Sequence, residues 1–390
     1  MLYFDISGLK FFNHHYGFSE GDQLIRALSL LLRKYFGAEN CGRFGEDHFA
    51  AFTEGENITE RLDSFFAEWK LANHQNTLPL RVGIYEDTFE HVSSSVACDR
   101  AKFACDTERN MGGSHYTFFN EGMEDAMESK EYVLNHFERA LQENWIIAYF
   151  QPIVWAKDGT LCNEEALARW DDPKLGLLAP YKFISVLEDE GLLYKIDLYM
   201  VDRIIDYQLA KRKSHLPLVP ISVNLSEHDF LACNMVKEIS ERLDGAHLPH
   251  NSLIVEITER SIGEDPELLR KVIEEFHAAG YSVWLDDFGS EYSSLNVLQN
   301  YKFELIKLDM KFLKKVETNS MSRLIIECVL ELAKEAHIET ISEGVETIEQ
   351  AQFLKAAGCL KLQGYLYGKP APVSERLQAL QGTLPARKSK

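Results

Sequence analysis

Long apolar runs are missing from this 390-residue chain. No stretch approaches the roughly 18 apolar residues of a membrane-spanning helix, and the opening MLYFDISGLK lacks the apolar centre of a secretory signal. The expectation is a cytoplasmic protein with no membrane segment. Cysteine pairing is missing too: Cys41, Cys98, Cys105, Cys162, Cys233, Cys328 and Cys359 are odd in number and scattered, with no CxxC pair. That argues against a disulfide framework or a zinc site and fits a reducing compartment. Positive charge is scarce. Forty-one Lys and Arg face 61 Asp and Glu, a net charge of −20 that repels nucleic acid polymers. An anionic small substrate would therefore need cations gathered at its site. Low-complexity linkers, short internal repeats and a glycine-rich dinucleotide turn are also lacking.

What is present is core material. Apolar residues make up 45% of a chain too long for one ordinary core, which predicts two or three domains. Residues 123–145 read as a connecting helix, with Val133, Leu134, Phe137, Ala140 and Leu141 at three- and four-residue steps. Beyond it, strand-like and helix-like patterns alternate. Candidate strands span 146–156, 162–170, 218–226, 253–259, 281–288, 303–310, 339–345 and 361–368. Amphipathic stretches lie between most of them, including MSRLIIECVLELAKEAH, whose apolar face carries Ile325, Val329, Leu332 and Ala336. Eight strands with helical crossovers predict an α/β fold, a closed (β/α)8 barrel; an open doubly wound sheet is the alternative.

Polar residues recur near the C-terminal ends of these strands: Glu165, Asn224, Glu256, Asp286 with Asp287, Lys307 with Asp309, Glu343 and Gln363. In a barrel those ends converge on one face, where active sites sit. Carboxylates inside apolar strands are costly unless paired or bound to cations. Singly, each would read as a salt-bridged strand end; together they read as a site. The donors are all oxygen, which suits Mg²⁺ or Mn²⁺ and disfavours zinc. The Asp286-Asp287 pair suggests two neighbouring ions. Lys307 would hold a water or screen charge, or else pair with Asp309 on the same strand face.

The motifs EALARW, SVNLS, VEITE, LDDFG, IKLD, SEGVE and LQGY, together with QPIV and PYKFISVLEDEGLL, resemble the EAL family of cyclic di-GMP phosphodiesterases over residues 143–373. The resemblance implies a modified TIM barrel with one antiparallel strand that hydrolyses cyclic di-GMP to linear pGpG. It implies a first metal held by Glu165, Asn224, Glu256 and Asp286, and a second by Asp286, Asp287 and Glu343. Lys307 would position the nucleophilic water, with Asp309 as partner or proton acceptor. Gln363 would order the site, and Arg169, Leu167 and Gln151 would contact substrate. Glu259 and Glu346 would brace loops. A homodimer through barrel-side helices is implied as well. One departure is FGSEYSSL, where Ser290-Glu291 replaces the family's Thr-Gly and casts doubt on full turnover. A non-catalytic cyclic di-GMP receptor or scaffold is the alternative function.

Residues 1–122 carry a fainter resemblance, through YFDISGLKFFNHHYGFSEGDQLI and CGRFGEDHFAAF, to the GGDEF family of diguanylate cyclases. The resemblance implies lost cyclase chemistry: His48 stands at an acidic position, Glu46 at a glycine and Ser7 at an aspartate, although Asp5 remains. Asn13 and Asp22 match guanine-recognising positions, which implies a GTP-responsive regulator; read as residues alone, they are turn formers. The chain opens on that family's first central strand without its leading helices, as a trimmed or reduced domain would. The expected organisation is therefore a degenerate GGDEF-like domain at 1–122, a connecting helix at 123–142, the barrel at 143–384 and a disordered tail at 385–390.

Overall fold

The computed structural model describes residues 1–45, 47–54, 57–87, 91–107, 113–259, 262, 265–289, 294–313, 316 and 320–383. Glu46, Ser290, Glu291 and the tail lie outside the described residues. The chain forms two compact units, Met1–Tyr132 and Val133–Lys390. The division falls inside the helix Glu121–Gln142, whose Val133, Phe137 and Ala140 join the core of the second unit.

The first unit is built on β1 (Leu2–Ile6), β2 (Cys41–Arg43), β3 (His48–Ala51), β4 (Leu80–Ile84) and β5 (His115–Phe118), ordered β2-β3-β1-β4-β5. Only the β4–β5 pair is parallel. Alternation splits β1 between two faces. Leu2, Phe4 and Ile6 pack under the helices Leu9–Tyr16, Phe18–Phe36 and Ile58–Trp69. Tyr3 faces the helix Ser94–Thr107 on the other side.

In the second unit, β6 (Ile146–Trp155), β7 (Leu161–Asp172), β9 (Ile221–Leu225), β10 (Leu253–Thr258), β11 (Ser282–Phe288), β12 (Leu305–Leu308), β13 (Glu339–Ser342) and β14 (Lys361–Gln363) close into a ring through the β6–β7 and β6–β14 pairings. β6 runs antiparallel to both neighbours, and every other ring pair is parallel. The closed ring excludes the open doubly wound sheet. Two short strands were not legible in the sequence: β8 (Gly176–Leu178), a hairpin partner of β7, and β15 (Ala371–Pro372), which pairs with β6.

One helix packs differently from expectation. In Ser320–Glu335 the buried residues are Ile326, Leu330 and Ala333, whereas Ile325 and Leu332 are exposed. The helix is apolar on more than one side, so periodicity alone did not choose the inward face. Met321, Leu324, Ile325 and Leu332 are left as an outer apolar stripe.

Closure of the ring is tight where β14 ends. A Cβ on Gly364 would lie 2.1 Å from Val345 O and 2.3 Å from Val345 N, so the chain passes there only as glycine. Gly364→Ala is expected to cost about 1–3 kcal/mol through overpacking, read as a lower urea midpoint for the barrel transition. An unchanged midpoint would show that the contact is not tight.

Candidate active site at the barrel mouth

Inside the barrel, alternate residues of each strand face inward. A lower layer includes Ile153, Ile254, Trp284, Leu305 and Ile341, which pack together. The polar residues stand one inward step higher, two residues farther along each parallel strand: Glu256 above Ile254, Asp286 above Trp284, Lys307 above Leu305 and Glu343 above Ile341. Gln151 takes the matching place on β6, two residues before Ile153 because that strand runs the other way. Glu165, Asn224 and Gln363 complete the upper layer from β7, β9 and β14.

The fully buried Lys307 organises it. Its Nζ lies 2.8 Å from Glu256 Oε2, 2.8 Å from Glu343 Oε1, 3.3 Å from Asp286 Oδ1 and 3.4 Å from Glu165 Oε1. Glu165 also accepts hydrogen bonds from Asn224 Nδ2 at 3.2 Å and Gln363 Nε2 at 2.5 Å. Burial alone would lower the Lys307 pKa, but Asp286, Glu165, Glu256 and Glu343 together raise it well above its ordinary value. Burial pushes Glu256 and Asp286 up and Glu343 to about 8, with Lys307 opposing in each case. Glu165 differs. Burial is its largest single influence and pushes upward, yet Lys307, Gln363 and Asn224 outweigh it and hold the carboxyl below the ordinary range.

Consecutive strand residues ordinarily face opposite ways, so Asp286 and Asp287 need a special backbone to share one site. β11 supplies it. Against β12 its register slips between Leu285 and Phe288, three steps facing the two from Ile306 to Leu308. Within this bulge Asp287 adopts a left-handed φ of 54°. Oxygens of Asp286, Asp287 and Glu343 consequently lie within 4.8 Å of one another, as do those of Glu165, Glu256 and Asp286. Past the bulge, Gly289 N donates to buried Glu259 Oε2 at 2.9 Å.

Other sequence-selected residues fall around this centre. Asp309 does not pair with Lys307. Its Oδ2 lies 3.0 Å from Lys311 Nζ, and its Oδ1 accepts from Lys311 N, because Lys307 points down into the four acids. Gln151 Nε2 donates to Gly368 O, and Gln151 Oε1 accepts from Gln363. Arg169 and Leu167 follow Glu165 at two-residue steps on its face of β7, both partly buried. The Arg169 guanidinium lies over the Tyr149 ring at 5.6 Å, and it has no carboxylate partner among the described residues. Tyr149 was missed, although its place two residues before Gln151 was the available signal. Glu346 is exposed and joins the following helix through its backbone N–H, which donates to Gln350 Oε1, so side-chain bracing of a loop is not what it shows.

In the first unit Asn13 and Asp22 lie within the helices Leu9–Tyr16 and Phe18–Phe36 rather than in turns. Asn13 Oδ1 is buried against Gly21. Asp5 is already taken by the Arg81 guanidinium, with His48 Nε2 3.6 Å away.

The EAL domain family model matches residues 134–370, more than half of the chain and the whole of this site. The chain belongs to the EAL domain family. The EAL chain is 27% identical over 394 residues to the bifunctional diguanylate cyclase/cyclic di-GMP phosphodiesterase MucR of Pseudomonas aeruginosa, an alignment covering 97% of this chain and 57% of MucR. It is 28% identical over 385 residues to the cyclic di-GMP phosphodiesterase PdeR of Escherichia coli, covering 95% of this chain and 57% of PdeR. It thus spans little more than half the length of these relatives. A solved MucR phosphodiesterase in complex with c-di-GMP superposes with a TM-score of 0.59 at 30% identity, over 63% of this chain and 99% of that one.

The EAL site fits hard divalent cations on its own chemistry. Three buried carboxylates and the partly buried Glu343 share one ammonium, every donor is oxygen, and Glu256 Oε1 is buried with no hydrogen-bond partner. Without cations such a cluster keeps protons, and metal binding must expel them. Glu343, pushed up to about 8, is largely protonated at pH 7 and ionised at pH 9. Mn²⁺ binding is therefore expected to release protons at pH 7, release fewer at pH 9, and tighten as pH rises through about 8. Calorimetry in two buffers of different ionisation enthalpy measures this. Identical heats in both at pH 7 would contradict the protonated cluster.

Proposed function

We propose that this chain hydrolyses cyclic di-GMP to linear pGpG with Mg²⁺ or Mn²⁺. The observation that carries the reading is Lys307 held among four carboxylates in the upper layer of the barrel, beside a bulge that turns Asp286 and Asp287 to one centre. Glu165, Asn224, Glu256 and Asp286 would hold one ion, and Asp286, Asp287 and Glu343 a second. Bound there, the ions would supply Lewis-acid charge to a phosphodiester and a nucleophile at neutral pH.

The chain's own groups do the rest. Lys307 orients the attacking water and screens charge developing on the phosphate. Gln363 and Asn224 fix the Glu165 carboxylate by hydrogen bonds. Arg169, a half-buried cation on the mouth side of Glu165, takes a substrate phosphate, with Leu167 and Gln151 lining the same wall. Asp309 accepts a proton only as its bond to Lys311 loosens, so its part is secondary. Residues 1–122 are read as a GGDEF-like domain without cyclase chemistry, because His48 replaces the acid and Arg81 occupies Asp5; GTP at Asn13 and Asp22 would regulate.

Incubation with cyclic di-GMP and Mn²⁺ is expected to yield pGpG by chromatography, and Glu165→Ala to slow it at least about 100-fold. Substrate left intact by high enzyme would favour a receptor instead. GTP added to the same assay tests regulation; an unchanged rate together with no GTP binding removes it.

A second copy is the proposed partner of the stripe Met321, Leu324, Ile325 and Leu332, between 42% and 58% exposed on one helix. Ile325→Glu is expected to convert a dimer to a monomer in sedimentation. A wild-type monomer, or a dimer that tolerates the charge, would exclude this interface.

A further inference from the structure

Beside Glu165 stands a second glutamate that faces the other way. Glu164 is fully buried outside the barrel wall and takes four donors. Its Oε1 accepts from Arg376 Nη2 at 2.6 Å, Arg376 Nε at 3.0 Å and Tyr207 Oη at 3.2 Å, and its Oε2 from Lys211 Nζ at 2.7 Å. Lys211 and Tyr207 come from the helix Leu193–Lys213, and Arg376 from the helix Val373–Thr383. Apolar side chains would fill such a place at no loss of stability, because desolvating ions offsets their attraction. What ions add is a fixed geometry.

The C-terminal segment holds β7 from inside as well. Gln363 Nε2 bonds both Glu165 Oε2 and Gln151 Oε1, and Gln151 Nε2 bonds Gly368 O. Ala371 and Pro372 then pair with Phe150 and Tyr149 of β6, and four residues later Arg376 reaches Glu164. One segment, 363–376, therefore grips the two adjoining residues Glu164 and Glu165 on opposite faces of the same strand.

We infer that Glu164 and Arg376 are positioning residues for Glu165: the outer ion cluster sets the height and rotation of β7 that bring the Glu165 carboxylate to Lys307 and Asn224. The inference rests on the metal-dependent reading above only for its effect on metal affinity.

The test is Arg376→Met in the full chain. It leaves Glu164 paired one-to-one with Lys211, so no buried anion is stranded. The variant is expected to melt within a few degrees of wild type, yet to bind Mn²⁺ about 10- to 100-fold more weakly by calorimetry, the usual effect of losing a group that orients a metal ligand. Without metal, amide exchange along Leu161–Asp172 is expected to quicken, and in turnover kcat should fall with KM little changed. A folded variant with wild-type Mn²⁺ affinity and wild-type exchange overturns the inference. If Arg376→Met does not fold, the apolar combination Glu164→Leu, Lys211→Met, Arg376→Met and Tyr207→Phe removes the whole cluster. In that variant weaker Mn²⁺ binding with faster exchange supports the positioning role, and wild-type values of both overturn it. Wild-type protein titrated alongside separates the two readings. Its failure to bind Mn²⁺ would overturn the metal-dependent function, and the exchange along β7 would still decide the positioning role.

Discussion

Everything at the barrel mouth depends on one ammonium. Lys307 has no access to water and lies within 3.4 Å of four acids contributed by four different elements. A buried lysine with no partner would give up its proton, and four crowded carboxylates with no cation would take protons up. Each side makes the other's charge tolerable, and the balance is uneven. Burial pushes all four acids up, and the single ammonium does not offset it for Glu256, Asp286 and Glu343, which sit above their ordinary range; only Glu165, with amide donors of its own, sits below it. The remaining demand for positive charge is built into the fold.

The bulge in β11 is the second constraint. A regular strand would turn Asp287 away from Asp286 and out toward the helices. The extra residue and the left-handed φ at Asp287 keep both aspartates at the mouth. Such a backbone costs of order 1 kcal/mol or more for a non-glycine residue and persists only where its surroundings hold it. Glu259 contributes by accepting from Gly289 N just beyond the bulge, so a carboxylate one strand away holds the backbone at the end of the strand that carries both aspartates. Strain, brace and site form one local unit.

Much of this was legible in the chain because barrel strands write their inward faces at two-residue steps. Ile254 then Glu256, Trp284 then Asp286, and Leu305 then Lys307 each change from apolar to ionisable in one inward step, and that repetition marked both the fold and the mouth. What could not be read was partner choice. Lys307 and Asp309 share a strand face, yet the lysine reaches inward and Asp309 is left to Lys311, because proximity along a strand says nothing about which way a long side chain bends. Ile325 and Ile326 are adjacent and equally apolar, and only the packed sheet decides which is buried. Asn13 and Asp22 have turn chemistry in isolation, but helical neighbours override it. Glu164 was hidden by the motif beside it.

Three acidic sites in this protein show how the ratio of charges assigns their work. Asp5, in the first unit, is met by Arg81 and flanked by His48, so its charge is matched from within. Glu164 is outnumbered by Lys211 and Arg376 and is locked by four hydrogen bonds. Neither needs anything from solution. The acids around Lys307 outnumber their cation four to one, and one oxygen of Glu256 is buried without a donor. On a chain whose net charge of −20 would turn an anionic ligand away, that local excess of acid over its one ammonium leaves the mouth of the barrel suited to divalent cations.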